Sequence, residues 1–238
     1  MNKRVALLVG ASSEIGQDLL QVCTKDGAWQ KVLVGENLSG DLLPEDTIFL
    51  KIFWGEFENH LDTIATAITK LGSVDLLILS TGYISNTQTQ NSVEEIGRNV
   101  LGNYQNPIYI LTRLITSGLI TDNSRIIGVS SALAGIPPRM KNYVYSASKS
   151  AFDLHFTAIA LDSGNLGKYL LVRPTYIPTK INRHLAPGFL PTTTKRVATH
   201  CRRVFPRYQK FKIIYSPRYI AIFVFLLRIL PKKLLFQR

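Results

Sequence analysis

An apolar run at residues 4–9 stops abruptly at Gly10-Ala11-Ser12-Ser13-Glu14-Ile15-Gly16, and this junction constrains the fold more than any other stretch. Six residues without polar alternation make a strand buried on both faces, as parallel strands are. Gly10 allows a tight turn after it, and Gly16 lets the helix predicted over residues 14–24 pack closely on the strand. The start of that helix presents backbone N–H groups and the positive end of its dipole. Ser12, Ser13, Glu14 and Ile15 then form a cradle that suits a pyrophosphate. A glycine pair at a strand end also serves as an ordinary turn, so the remaining chain has to support the reading.

Residues 31–34, 47–51, 75–79, 125–129 and 169–172 are further apolar strands. Residues 61–71 carry helical periodicity through Leu61, Ile64, Ala65, Ile68 and Leu71. Residues 93–117 are helical, with Pro107 as a kink or interruption, and residues 143–161 form a long helix. Strand and helix alternate, which predicts an α/β chain: a Rossmann-type doubly wound parallel sheet with helices on both faces. A chain of 238 residues suffices for one such domain with a full core. The domain is expected over residues 1–182, with 183–238 as a basic, apolar C-terminal extension of it in which no last strand is legible. Cys23 and Cys201 have neither disulfide nor zinc spacing, which fits a reducing compartment, and no metal site is predicted. The first ten residues have the outline of a signal peptide, but the apolar run is short and leads into the glycine turn, so it is read as the first strand.

At the end of the second strand, Val32-Leu33-Val34-Gly35-Glu36 places an acid 20 residues after Gly16. That is the position from which a carboxylate accepts from the adenosine ribose hydroxyls. A 2′-phosphate would be repelled there, with no Lys or Arg nearby to offset it, so NAD (as NADH) is expected and NADP is disfavoured.

Tyr145 and Lys149 stand four apart in Tyr-Ser-Ala-Ser-Lys, on one helix face and about 6 Å apart along the axis. An ammonium there should lower the phenol pKa toward the range in which it exchanges a proton. Ser130 and Ser131 end the fifth strand, at the sheet edge where α/β proteins bind ligands, and either hydroxyl could orient a substrate carbonyl. Asn99, one helix away, is the candidate for passing protons to water.

Charge is unevenly placed. Residues 1–162 hold all 16 acids and 12 Lys/Arg, a balance of −4; residues 163–238 hold no acid and 16 Lys/Arg, a balance of +16. A field of one sign favours an anionic partner. Residues 219–230 are strongly apolar, yet twelve helical residues reach about 18 Å against a bilayer core of about 30 Å. The segment is either a core helix over the sheet edge or an interfacial one, with Tyr219, Ile220, Ile222, Phe223, Phe225, Leu226 and Leu227 apolar and Arg228, Lys232 and Lys233 beside them. Such a face suits lipid better than bases, so no nucleic-acid partner is expected.

In order, Gly10–Gly16, the Asn99 segment, Ser130-Ser131, Tyr145-x-x-x-Lys149 and Pro174-x-x-x-x-Thr179 resemble the short-chain dehydrogenase/reductase family over roughly residues 4–182. The resemblance implies Tyr145, Lys149, Ser131 and Asn99 as catalytic residues. It adds Gly82, Pro174 and Thr179 to the cofactor-binding set of Gly10, Ser12, Ser13, Glu14, Ile15, Gly16, Glu36, Tyr145 and Lys149. Ser131 lies 14 residues before Tyr145, one more than the family's usual spacing; a one-residue loop insertion before Gly135 favours it, with Ser130 in reserve. The Ser-Glu-Ile-Gly form of the glycine turn, Ser-Ser-Ala-Leu-Ala-Gly with Arg139-Met-Lys-Asn-Tyr-Val-Tyr145, and the basic end Leu-Arg-x-Leu-Pro-Lys-Lys resemble the subfamily that reduces a decaprenylphosphoryl-linked 2-keto-pentose. That resemblance implies a polyprenyl-phosphate sugar as substrate and a flavin-dependent oxidase as partner subunit. It also implies a homo- or hetero-oligomer in the cytoplasm, peripheral at the membrane surface. The alternatives are a reductase of another lipid-like ketone (sterol, retinoid or acyl) and a non-catalytic cofactor-binding subunit.

Overall fold

Along β1 (Arg4–Val9) the side chains alternate between two cores: Val5, Leu7 and Val9 enter one, Ala6 and Leu8 the other, all of them buried. Both faces of the sheet are therefore covered, which is why the run lacks polar alternation. The computed structural model describes residues 3–38, 46–86, 88–135, 142–162, 164, 166–182 and 191–229. Seven strands pair in the order β3-β2-β1-β4-β5-β6-β7, all parallel. These are β1, β2 (Trp29–Gly35), β3 (Thr47–Lys51), β4 (Val74–Leu79), β5 (Ile120–Val129), β6 (Lys168–Pro174) and β7 (Phe211–Ser216). The chain runs outward from β1 to β3 and then returns to β4 on the other side of β1. This reversal opens a crevice at the carboxyl ends of β1 and β4, the usual ligand position in such sheets.

One core lies between the sheet and the helices α1 (Glu14–Cys23) and α6 (Thr194–Val204); the other lies under α2 (Phe57–Thr69), α4 (Asn106–Thr116) and α5 (Tyr143–Asp162). The helix expected over 93–117 is three pieces: α3 (Val93–Val100), a π-helical turn Leu101–Gln105, and α4. The expected kink or interruption is the second of these: the α-helical bonding is interrupted by the π-helical turn just before Pro107, which stands in the first turn of α4.

The expected extension supplies part of the sheet's own edge. Thr193 caps α6 by accepting from the Arg196 N–H at 3.2 Å, and Val197, Ala198 and Cys201 are buried. β7 follows and pairs with β6. α7 (Ile220–Ile229) then turns Ile220, Val224 and Leu227 inward. Ile220 and Val224 pack with Ala132 and Tyr215, so α7 covers the short turn Ala132–Gly135 that follows β5. Its outer face leaves Ile222 67%, Phe225 62% and Leu226 48% exposed. α7 is thus a core helix on one side and an uncovered apolar surface on the other. No helix among the described residues is long and apolar enough to cross a membrane. The Arg139–Lys141 segment, Lys232, Lys233 and the side chain of Arg228 lie outside what the structure describes.

Candidate active site

The glycine turn has the geometry its sequence requires. Gly10 has φ +102°, and a Cβ there would lie 2.6 Å from the Ser80 carbonyl oxygen. A Cβ on Gly16 would meet Leu8 Cδ1 at 2.7 Å and Ser80 Cβ at 2.9 Å. No other residue type fits such close packing of turn, helix and β4 without a shift. Ser13 caps α1, its hydroxyl accepting from the Gly16 N–H at 3.1 Å and sharing a 2.8 Å hydrogen bond with the Ser80 hydroxyl. Its own N–H, expected in the phosphate cradle, is taken by the Gly10 carbonyl at 2.9 Å. Glu14 contributes its side chain as well: Oε2 accepts from the Lys180 N–H at 2.7 Å, tying the loop after β6 to the start of α1.

Two cavities open along the crevice. The larger, about 460 Å³, is lined by Gly10, Ser12, Glu36, Trp54, Gly82 and Arg98, among others. The smaller, about 90 Å³, has Ile15, Ser131, Tyr145, Lys149, Pro174 and Thr179 in its wall. Ser13, Ser80, Thr81, Gly82 and Ile181 border both, so together they make one elongated site. A dinucleotide fits this arrangement. The Gly10 turn leaves room for close backbone approach, and Thr81 Oγ1 is buried in the shared wall with no partner among the described residues. The Glu36 carboxylate accepts from the Trp54 N–H at 3.0 Å through Oε1, and its second oxygen keeps acceptor capacity for a ribose hydroxyl. Arg98 is a cation in the same cavity that sequence proximity to Glu36 did not show. It lies on α3, 3.5 Å from Glu95.

The sequence-predicted chemistry converges on the smaller cavity. Lys149 is 3% exposed and donates to the carbonyl oxygens of Thr81 at 3.0 Å and Val129 at 3.1 Å. Burial brings its pKa down to about 8, with Asp153 pulling the other way. Burial pushes the half-buried Tyr145 phenol up to about 12; the Ser131 hydroxyl lowers it and Asp153 adds to the rise. The expected lowering by Lys149 is therefore not what this structure displays. Both groups are desolvated, and the ammonium is turned toward two carbonyls.

Ser131 and Ser130 separate by surroundings. Ser131 faces the phenol and accepts from the Leu133 N–H at 3.2 Å, leaving its O–H to donate. Ser130 Oγ is buried without a partner in hydrogen-bonding geometry, as is Asp153 Oδ1, and the Ser130 hydroxyl is among the influences on Asp153. Asp153 itself receives Arg173 Nε at 2.6 Å, and the same guanidinium donates to the Tyr215 hydroxyl at 2.6 Å. Desolvation raises the Asp153 pKa against the pull of Arg173. Sequence reasoning passed over Asp153, although it stands four residues after Lys149 on an otherwise apolar stretch.

Asn99 is fully buried behind the site and does not line either cavity. Its amide donates to Ser85 Oγ and to the Glu95 carbonyl at 2.8 Å, and its oxygen accepts from Asn103 Nδ2 at 3.2 Å. Asn103, unmarked in the sequence reading, is the centre of this network. It accepts from the Tyr83 N–H at 2.9 Å, and its amide reaches the Tyr83 carbonyl at 2.8 Å and Ser148 Oγ at 3.0 Å. Ser148 in turn donates to the Tyr145 carbonyl at 2.9 Å. Through this network Asn99 and Asn103 tie the loop after β4 to the start of α5. The signal was present: three asparagines in eight residues of a helix, a residue type that helices disfavour. The π-helical turn places Asn103 inward. Pro174 ends β6 in the cavity wall, and Thr179 closes a turn in which its N–H donates to Asn182 Oδ1 at 2.9 Å.

Comparison with known proteins bears on the family and the fold. The short chain dehydrogenase family model matches residues 4–188. An uncharacterized oxidoreductase of Staphylococcus epidermidis is 26% identical over 157 residues, 63% of this chain and 67% of its own. Among solved structures, a short chain dehydrogenase from Burkholderia cenocepacia in complex with NADP superposes with a TM-score of 0.78 at 17% identity, over 100% of this chain and 99% of that one. A 3-oxoacyl-[acyl-carrier protein] reductase from Brucella melitensis in complex with NAD gives 0.75 at 14% identity, over 93% and 98%. With the glycine turn, the seven-stranded parallel sheet and the Ser131–Tyr145–Lys149 constellation in one crevice, the chain belongs to the short-chain dehydrogenase/reductase family of NAD(P)-dependent oxidoreductases.

Proposed function

We propose that the chain reduces a ketone carried on a polyprenyl phosphate, in particular a 2-keto-pentofuranose, with NADH, at the cytoplasmic surface of a membrane. A bound nicotinamide supplies the hydride to the carbonyl carbon. Tyr145 donates its proton to the carbonyl oxygen, and the Ser131 O–H holds that oxygen by a hydrogen bond. A phenol held at about 12 is protonated at neutral pH, which is the form that reduction consumes. Lys149 has three N–H donors, two of them committed to Thr81 and Val129. The third is available to the nicotinamide ribose, and the Ser131 hydroxyl, which lowers the phenol pKa, stabilises the phenolate left by proton transfer.

The observation that carries the substrate class is the position of α7. Its inner face packs on the turn directly after Ser131, while its outer face is apolar and exposed. With no acid after Asp162, this edge offers an ionised phosphate and an apolar chain what each requires. The carboxylate of Glu36 supports NADH over NADPH, and a flavin-dependent oxidase is the partner that would supply the ketone.

Single-turnover oxidation of NADH decides the reading. A polyprenylphosphoryl 2-keto-pentose should be reduced with a higher kcat/KM than the same keto-sugar without its lipid phosphate. A sterol or acyl ketone reduced faster than the lipid-linked sugar would overturn the assignment in favour of another apolar ketone. No NADH oxidation with any ketone would favour a non-catalytic subunit.

A further inference from the structure

At the sheet edge farthest from β3, a groove of about 980 Å³ runs between α6, β7 and the start of α7. Lys195, Arg196, Arg203, Arg207, Lys212 and Arg218 line it. All six are exposed, and among the described residues none forms an ion pair with a carboxylate. Arg202, on the same helix, does pair, with Asp26. Six like charges around one groove repel each other, and no acid follows Asp162 in the chain to relieve them. His200, in the groove wall, is surrounded in the same way: burial lowers its pKa, and Arg218, Arg203 and Lys212 lower it further. Thr192 Oγ1 is buried at the groove and has no partner among the described residues. The groove wall continues into α7 through Arg218 and Ala221. Beside it stand Tyr219, Ile222, Phe225 and Leu226, from 48% to 67% exposed.

We infer that this edge is a docking surface for an anionic bilayer, in which the groove cations take lipid headgroup phosphates and the outer face of α7 enters the apolar zone beneath them. A free phosphate or a nucleic acid would satisfy the cations and leave the apolar face in water. An apolar partner would cover α7 and leave the cations unpaired. The interfacial region of an anionic membrane matches both at once, charge above and hydrocarbon below. The inference rests on the lipid-phosphate reading above and carries the same α7 edge from the lipid-linked substrate to the bilayer that holds it; its test does not depend on turnover.

The test is sedimentation of the full-length chain with vesicles of phosphatidylcholine alone and of phosphatidylcholine with phosphatidylglycerol in equal parts, at low and high salt. Full-length protein should pellet with the anionic vesicles and release partly with salt. The triple variant Arg203→Gln/Arg207→Gln/Arg218→Gln should bind about fivefold more weakly per cation, on the order of a hundredfold in all. The double variant Ile222→Ser/Phe225→Ser should lose the salt-resistant fraction. These side chains are exposed, so circular dichroism and NADH binding should be unchanged in both variants. Protein that stays in the supernatant at low salt overturns the inference. So does a triple variant that binds as tightly as wild type. Inorganic pyrophosphate that displaces the protein from vesicles while the double variant binds normally would make the groove a soluble-phosphate site, and RNA binding tighter than vesicle binding would make it a nucleic-acid site; either result overturns the membrane assignment. Vesicle binding without ketone reduction would fail the proposed reaction alone; reduction without vesicle binding would fail this inference and the membrane location, and leave the proposed reaction standing.

Discussion

Lys149 and Thr81, 68 residues apart in sequence, are joined by a 3.0 Å hydrogen bond from the buried ammonium to the backbone carbonyl. A second bond, to Val129, fastens the same ammonium to the end of β5. Lys149 therefore holds the carboxyl ends of β4 and β5 to the helix that carries Tyr145, besides any role toward the cofactor.

A pH dependence of stability follows. The folded-state pKa of Lys149 is about 8 against an ordinary 10.5, so between these values the unfolded chain binds more protons. Stability then rises with pH across that window. Burying the charged lysine costs most below pH 8, and the cost fades as pH climbs to about 10.5. Urea unfolding across the window should give midpoints that rise for wild type relative to Lys149→Met. Parallel profiles for the two proteins would contradict the shift. In the same variant, NADH affinity and turnover should both fall.

Tyr145→Phe removes the proton donor and keeps the ring. It should lower kcat by roughly 10²–10⁴ while NADH affinity, read by fluorescence titration, stays near wild type. Turnover retained at the wild-type level would exclude Tyr145 as the acid.

Between the two serines, Ser131→Ala should cost more turnover than Ser130→Ala, because Ser131 faces the phenol while Ser130 lies beside Asp153. Ser130→Ala should act mainly on thermal stability. The reverse ranking in kcat would transfer the carbonyl-orienting role to Ser130.

Cofactor choice should turn on Glu36. Wild type should bind NADH more tightly than NADPH at equal salt, and Glu36→Arg should narrow or invert the ratio by replacing repulsion with a charge-assisted hydrogen bond. Arg98 in the same cavity supplies the control: Arg98→Gln should weaken NADPH more than NADH. Equal affinities for the two cofactors in wild type would remove Glu36 from the selection.

Asn103→Leu should destabilise the chain by about 1–3 kcal/mol for each buried group it leaves unpaired, the Tyr83 N–H and carbonyl first. Its kcat should fall with KM for NADH nearly constant, as expected if the network positions α5 rather than touching the cofactor. A change confined to KM would point to direct contact instead.

What the sequence determined by itself is local. An apolar run of strand length buries itself wherever it lies, so β1, β2, β3, β4 and β6 are legible within about two residues at either end; β5 is legible but starts five residues earlier than expected. The turn from Gly10 to Gly16 is covalently continuous, and so is the four-residue spacing that puts Tyr145 and Lys149 on one helix face. What only the tertiary structure decided depends on residues distant in the chain. β7 is a half-buried edge strand without a continuous apolar run, and α6 is mostly polar; β6 and α1 supply their partners. The different surroundings of the two serines follow from which way each faces, and the cation that shares a cavity with Glu36 arrives from α3. Asn103 becomes a hub only because the π-helical turn brings it under Tyr83 and Ser148. The pKa directions of Tyr145 and Lys149 depend on desolvation, a property of everything packed around them, and this outweighed the single-neighbour effect that four-residue spacing implies.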